Sequence, residues 1–349
     1  MKLPIHILAS GLMLASVGYI VAVEPTADVR PAIQRGLGLI QLAGTNWQKN
    51  KTCFACHHQT LPMLAIKEAA RSGLATDESW MKSQLAHTDA YFAERIDMLN
   101  TGEHVPGGSF TIGYGLWAMS LAGRAPDATT EAMVGYLLKI QGVARLKGEE
   151  PTAAQQQKGK WVSSCSRVPL QSSEIAATVL AIAGMEKFAT QDQRPLLKTA
   201  REHAEKWLAQ VPLKENEDRI WRLWGLHRLG GDEAAKARTR AAIVAAQHDD
   251  GGWSQTDDMS RDAFATGETL FVLRQTGSSA VDPVVVKARD YLLKNQLADG
   301  SWLVETHVKP VQPFFENGDP HGRNQFISTA ATAWAVAGLA QLLDRPDPP

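Results

Sequence analysis

The sequence has little of three things, and each scarcity excludes a class of protein. Only 3 of its 349 residues are cysteine, too few for the disulfide framework of small secreted domains. Lysine and arginine total 36 against 37 aspartates and glutamates, for a net charge of -1. No long basic run occurs, so we expect no nucleic-acid partner. No stretch alternates apolar and polar residues as strands do, so a β-protein is not expected either.

The N-terminus holds the one apolar run of near membrane-spanning length. Lys2 is the only fixed charge before Glu24. This order is typical of an export signal, cleaved near Ala22 or Val23, and the run also suits a retained anchor. We therefore expect residues 1–23 to be a signal peptide or an N-terminal anchor. The body of the protein should be periplasmic or otherwise exported, and should touch a membrane only through such an anchor.

The rest of the chain is 44% hydrophobic and 21% charged overall, which is ordinary for a globular protein, and its C-terminal half repeats. The segment "VKARDYLLKNQLADGSW" ends at Trp302, and "ARTRAAIVAAQHDDGGW" ends at Trp253. Each predicts a helix, a glutamine, a polar turn and Gly-x-Trp. An apolar segment rich in alanine and threonine follows each of them, at 326–343 and 262–277. One repeat therefore predicts one helical hairpin.

Looser copies extend this pattern toward the N-terminus, to a total of six hairpins. The second helix of each is the more apolar, and the first carries more charge. Since a helix that is apolar all round is buried, we predict six inner helices ringed by six outer ones. The predicted fold is all-α, an (α/α)6 toroid over residues 30–345, closed on itself and so without an exposed end to cap.

The last repeat resembles the glutamine–tryptophan repeat of squalene and hopene cyclases. The matching residues are Lys287, Ala288, Tyr291, Leu292, Gln296, Gly300 and Trp302. The resemblance implies that the glutamine caps a neighbouring helix and the tryptophan stacks on it, which is a structural role. Most of residues 30–345 also resemble a group of exported bacterial proteins without a settled activity. That group pairs the toroid with a C-x-x-C-H-H segment and a late loop, here "QPFFENGDPHGRNQF" at 312–326.

The resemblance to cyclases does not extend to their catalytic acid. Those enzymes protonate an alkene with an Asp-x-Asp-Asp motif, and this chain has only the pairs Asp249–Asp250 and Asp257–Asp258. Prenyltransferase relatives hold zinc with a cysteine of their late repeats, where this chain has none. A true D-x-D-D cyclase is therefore not expected.

The segment "CFACHH" at residues 53–58 predicts a cofactor site. C-x-x-C-H at 53–57 is the attachment signature of c-type haem. The thiols of Cys53 and Cys56 reach the two vinyl groups along one porphyrin edge, and His57 ligates the iron. Haem is attached in this way outside the cytoplasm, in agreement with the export signal. We therefore predict haem c at the entrance of an inner helix.

Zinc is the alternative cofactor. Cys53, Cys56, His58 (or His57) and Cys165 supply the ligand types of a tetrahedral site, and both loops precede inner helices. A Cys53–Cys56 disulfide or plain thiols, redox-active or not, also stay open. His58 does not share a helix face with His57, so a hydrogen bond is its simpler role. The sixth haem ligand is open among Met63, Met98, His104, another residue or none.

Three functions follow as hypotheses. The first is an exported haem protein that exchanges electrons with a redox partner protein. The second is a toroid scaffold that binds zinc or a ligand. The third is an enzyme on a small hydrophobic or sugar-like substrate, which uses the barrel cavity and the carboxylates at its mouth. Polar residues expected at the same mouth are His104, Asp257, Asp258, Asp262, His307, Glu316, Asp319 and His321, for which a solvated loop or a helix cap is the simpler role. Glu174 and Glu268 begin inner helices, so they either point into the barrel or serve the helix start.

Overall fold

The computed structural model describes residues 28–144, 146, 151–163, 165, 167–309 and 313–343. The predicted signal or anchor at 1–23 lies outside them. The helices are α1 (Arg30–Asn50), α2 (Thr60–Arg71), α3 (Glu78–Ala93), α4 (Ile96–Thr101), α5 (Gly108–Leu121), α6 (Ala128–Lys139), α7 (Ala153–Gln156), α8 (Glu174–Phe188), α9 (Arg194–Gln210), α10 (Asn216–Leu229), α11 (Glu233–Ala245), α12 (Ala263–Gln275), α13 (Pro283–Asn295) and α14 (Gln325–Ala340). None of the described helices is long and apolar enough to cross a membrane.

Burial divides these helices into two sets. All but two residues of α5 are buried, and in α14 Phe326 alone is not fully buried. By contrast, α9 buries a single stripe at helical spacing: Leu197, Ala200, Ala204 and Leu208. Helices that are apolar all round are therefore inner, and amphipathic helices are outer, as the sequence predicts.

The inner helices close into a ring. In order, α2 packs on α5, α5 on α8, α8 on α10, α10 on α12, α12 on α14, and α14 back on α2. The hydroxyl of Ser72, at the end of α2, donates to the carbonyl of Ala340 on α14 at 2.8 Å across the closing seam. The outer layer consists of α1, α3, α6, α9, α11 and α13. The predicted (α/α)6 toroid of six hairpins is confirmed.

The glutamine–tryptophan repeats join neighbouring hairpins. The Gln296 side-chain amide donates to the carbonyl of Ala32 in α1 at 2.8 Å, so the last repeat is hydrogen-bonded to the first helix. The indole Nε1 of Trp302 donates to the carbonyl of Leu292 at 2.8 Å, and its backbone N–H donates to the hydroxyl of Thr332 at 3.2 Å. Gln247 and Trp253 repeat all three contacts one hairpin earlier. These hydrogen bonds support the structural role that the resemblance implies for the glutamine and the tryptophan.

The glycine of each Gly-x-Trp allows this close approach. Gly251 has φ +94, and a Cβ there would lie 2.2 Å from the carbonyl oxygen of Lys287 on the next outer helix. Both the left-handed backbone and the contact exclude a side chain. Glycine at this position therefore follows from packing between hairpins.

Two details differ from the sequence-based expectation. The first half of the second hairpin, which one helix per hairpin half would make continuous, divides into α3 and α4. The Arg95 guanidinium donates to the carbonyl of Tyr91 at 2.6 Å and lies over its ring, which satisfies the end of α3. A two-residue antiparallel pair, β1 (Trp253–Ser254) and β2 (Arg261–Asp262), is the sheet in the described chain. It precedes α12, where Asp262 caps the helix.

Candidate functional site

A cavity of about 440 Å³ lies at the mouth of the toroid. The loops that lead into α2, α5, α8 and α14 surround it. Aromatic and aliphatic side chains form much of the wall, among them Trp47, Phe54, Leu170, Phe314, Phe326 and Ile327. Its size and apolar lining are those of a small-molecule site. The segment 53–57, which leads into the inner helix α2, borders this cavity.

Cys53, Cys56 and His57 all line this cavity. Two side chains fix the loop that carries them: Trp47 Nε1 lies 2.9 Å, and His87 Nε2 3.2 Å, from the carbonyl oxygen of Cys53. Burial raises the pKa of the Cys56 thiol to about 12, so this thiol is protonated at neutral pH and is a poor nucleophile by itself. No disulfide links Cys56 to another cysteine of the described chain.

The two histidines that follow form a stacked cluster. His58 is fully buried and stacks on Trp47 with ring centroids 4.6 Å apart. His57 stacks on Phe326 at 5.4 Å. Burial lowers the pKa of His57 to about 3, with a smaller contribution from Arg167, and lowers the pKa of His58 well below its usual value. Both rings are therefore neutral at physiological pH.

A hydrogen-bonded chain runs from a distant loop through both rings. His57 Nδ1 and His58 Nδ1 are in direct hydrogen-bond contact. His58 Nε2 lies 2.7 Å from Nδ2 of Asn317. The Asn317 amide is oriented by its surroundings, because its Oδ1 accepts from the backbone N–H of Asp319 at 2.8 Å. This chain joins the "CFACHH" segment to the "FENGDPHG" loop, two segments that the sequence analysis named separately.

This orientation assigns the protons of both rings. Asn317 donates to His58 Nε2, so His58 carries its hydrogen on Nδ1 and donates it to His57 Nδ1. His57 therefore carries its hydrogen on Nε2, the ring nitrogen left for a ligand in the cavity. A metal bound at Nε2 requires the opposite tautomer of both rings, with Oδ1 of Asn317 turned toward His58. Sequence reasoning missed Asn317, although it lies within the late loop that the resemblance singled out.

The alternative zinc ligands do not converge in this structure. Cys165 does not line the cavity, and its sulfur lies 3.9 Å from Nη2 of Arg167. Both ring nitrogens of His58 are already engaged by His57 and Asn317. Within the described ranges, no group of three or more His, Cys, Asp or Glu side chains is arranged to hold a metal ion. The set Cys53, Cys56, His58 and Cys165 therefore does not fit zinc as placed.

The structure also places the candidates for a sixth haem ligand and the two inner-helix glutamates. Met63, Met98 and His104 do not line the cavity, so none is positioned as a sixth ligand. The Glu174 carboxylate is partly exposed and forms an ion pair with Lys160, whose ammonium group lies 2.6 Å away. Glu268 does point inward, where it is 1% exposed.

Glu268 meets a second buried carboxyl group that sequence reasoning did not single out. Glu217 on α10 is 4% exposed, and its Oε1 accepts a 2.8 Å hydrogen bond from Trp221 Nε1. Neither oxygen of Glu268 receives a hydrogen bond from another described group. Burial is the main reason that the pKa of Glu268 rises to about 7 and that of Glu217 rises well above its usual value. The two groups therefore hold at least one proton between them at neutral pH.

Below the mouth, the barrel interior is packed with aromatic rings. Trp117 lies 5.3 Å from Trp224 and 6.2 Å from Trp334, between ring centroids, and Phe271 lies 5.5 Å from Trp334. Aromatic rings from four inner helices, α5, α10, α12 and α14, thus fill this part of the barrel. The mouth cavity, which does not include Glu217 or Glu268, is the better placed site for a ligand.

No family model matches this sequence, and no curated protein matches it. Its structure is similar to several solved structures. A protein from Actinoplanes is 14% identical with a TM-score of 0.56, over 90% of this chain and 99% of that one. A type II terpene cyclase from Scytonema, in complex with geranylgeranyl dihydroxybenzoate, is 15% identical with a TM-score of 0.50, over 90% and 100%. A glycosyl hydrolase family 88 protein from Bacteroides vulgatus is 12% identical with a TM-score of 0.51, over 89% and 99%. At these identities the likeness shows the α/α toroid fold alone.

Proposed function

We propose that this is an exported haem-binding protein that transfers electrons to a redox partner. Its haem would be attached to Cys53 and Cys56, with His57 as the iron ligand, in the mouth cavity. One observation carries the proposal: all three residues of the C-x-x-C-H signature line one cavity. Export rests on the apolar character of residues 1–23.

The chain's own groups suit the attachment. Each thiol adds across one vinyl group, so that sulfur bonds to one carbon, hydrogen goes to the other, and no electrons are gained or lost. The apolar wall of Trp47, Phe54 and Phe326 suits a porphyrin face. A bound haem would supply one-electron redox chemistry between its ferric and ferrous states.

The histidine cluster supports iron ligation after one rearrangement. His57 is neutral, and its Nδ1 is hydrogen-bonded to His58. In metal-binding histidines, likewise, the ring nitrogen that does not bind the metal is hydrogen-bonded to a neighbouring group. The His57 proton must move from Nε2 to Nδ1, and His58 then accepts at Nδ1. Asn317 turns its amide by half a turn, which exchanges two atoms of nearly equal size and gives up the hydrogen bond from the Asp319 N–H to Oδ1. Stacking on Trp47 and Phe326 keeps both rings in place during this exchange.

The test is expression in cells able to mature c-type haem. We expect one covalent haem per mature chain, by intact mass and by haem staining of a denaturing gel. Cys53→Ser with Cys56→Ser should abolish the adduct. His57→Ala should keep it but change its absorption spectrum. Cys165→Ser is the matched control and should leave the adduct unchanged. A mature wild-type chain without an adduct would refute the proposal.

A second candidate is an enzyme that uses His57 on a small apolar substrate. The Asn317–His58–His57 chain favours it, because it presents an N–H at Nε2 to the cavity and links it to a second neutral imidazole. Such a pair can donate and recover a proton. Native mass spectrometry of haem-free protein distinguishes this case. A co-purified small molecule that wild type consumes and His57→Ala retains would favour the enzyme.

A further inference from the structure

Among the residues that the structure describes, the charged groups on the cavity wall are all basic. Arg167, Lys309 and Arg323 line it, together with Cys53, Cys56 and His57, and no described aspartate or glutamate does. The three come from the loop before α8, the loop after Trp302 and the turn before α14. The protein as a whole is nearly neutral. The cavity is therefore a local concentration of positive charge on an otherwise apolar wall.

These three cations lack the carboxylate partners that several arginines elsewhere in the described chain have. Arg124 is paired with Asp89 and Asp127, and Arg240 with Asp282. In the part of the chain that the structure describes, Arg167, Lys309 and Arg323 take part in no ion pair within 4.0 Å. Arg167 is partly buried against the apolar wall, whereas Lys309 and Arg323 are exposed. The Arg167 guanidinium therefore loses part of its hydration, and an anion in bidentate contact recovers that cost.

Backbone contacts hold both arginines at the wall. Arg167 exchanges hydrogen bonds with Gln171, whose N–H donates to the Arg167 carbonyl at 2.8 Å. Arg323 lies in a single helical turn, Gly322–Asn324. The side-chain oxygen Oδ1 of the next residue, Asn324, accepts a 3.0 Å hydrogen bond from the backbone N–H of Thr306. The two guanidinium groups are therefore carried by fixed turns on different sides of one opening.

We propose that Arg167 and Arg323 bind the carboxylate groups of the ligand in the mouth cavity, with Lys309 as a third cation. This inference rests on the proposed function, under which the carboxylates are the two haem propionates. The same chemistry would accept another apolar molecule that ends in a carboxylate. The thioether bonds fix one edge of the porphyrin, and the arginines hold its propionates.

The test uses the full chain with Cys53→Ser and Cys56→Ser, so that binding is reversible. Haemin and haemin dimethyl ester, which lacks the carboxylate charges, are titrated by absorption. We expect haemin to bind at least about 10-fold tighter than the ester. Arg167→Gln and Arg323→Gln should each reduce this preference about 10-fold, and Arg167→Lys should restore part of it. Lys49→Gln, an exposed basic residue that does not line the cavity, should change nothing.

A second pair of ligands separates the two proposals. Dodecanoate and dodecanol are titrated by calorimetry against the same variants, after circular dichroism shows that each is folded. If haemin does not bind but dodecanoate binds in preference to dodecanol, and the arginine variants lose that preference, the haem proposal fails and the carboxylate site stands. If acid and neutral forms bind alike in both pairs, if neither acid binds, or if the preference survives both arginine replacements, the carboxylate site is refuted.

Discussion

Glu268→Gln tests whether the buried carboxyl pair makes folding depend on pH. Burial raises the pKa of Glu268 from its ordinary value of 4.5 to about 7. A carboxyl whose pKa is raised on folding contributes stability fully below its unfolded pKa and loses it as pH rises through the folded value. The wild-type protein should therefore lose stability between pH 4.5 and pH 8.

The magnitude follows from the shift. About 2.5 pKa units at about 1.36 kcal/mol each amount to about 3 kcal/mol. Glutamine keeps the shape and cannot ionise, so this share of the pH dependence disappears. At pH 8 the variant should be more stable than wild type by about 3 kcal/mol. At pH 5 the difference should be small, within about 1 kcal/mol, because the Glu268 carboxyl group is then protonated and neutral, as the glutamine is.

The assay is urea unfolding at pH 5 and pH 8, with the exposed Glu202→Gln as a matched control. Asp262 and Asp319 also have raised pKa values, about 6 and about 7, because of burial. They contribute a slope of the same sign to wild type and variant and cancel, so the comparison reports on Glu268 together with its buried partner Glu217. If Glu268→Gln loses as much stability as wild type between the two pH values, the assignment of a buried, proton-sharing pair is refuted.

Three further predictions concern packing and the histidine cluster. Trp302→Ala should cost about 3–5 kcal/mol in urea unfolding, because it deletes a large aromatic side chain that is 1% exposed. An unchanged stability with lost ligand binding would contradict its structural role. Gly267→Ala should destabilise by about 1–3 kcal/mol, since its Cβ would lie 2.5 Å from the backbone nitrogen of Ala335; Gly38→Ala, where nothing lies within 4 Å, is the control. Asn317→Leu should cost about 1–3 kcal/mol, because His58 loses its donor in a buried site, and an unchanged melting curve would exclude that contact.

The sequence alone determined the helices, their pairing into six hairpins and the ring they form. These features follow from local periodicity and from a repeat whose glutamine, glycine and tryptophan serve the same contacts in each copy. The short-range order of Cys53, Cys56 and His57 likewise placed a candidate site at the entrance of an inner helix. Each of these signals lies within a few residues or one repeat length, so it can be read along the chain.

Only the tertiary structure decided which distant side chains meet. His58 contacts Asn317 across 259 positions, Glu268 meets Glu217 from the neighbouring inner helix, and Glu174 turns to Lys160 at the mouth. The pairing depends on the rotation of each helix about its axis and on where the ring closes. Sequence periodicity determines which face of a helix is buried, but the ring closure determines which partner that face meets.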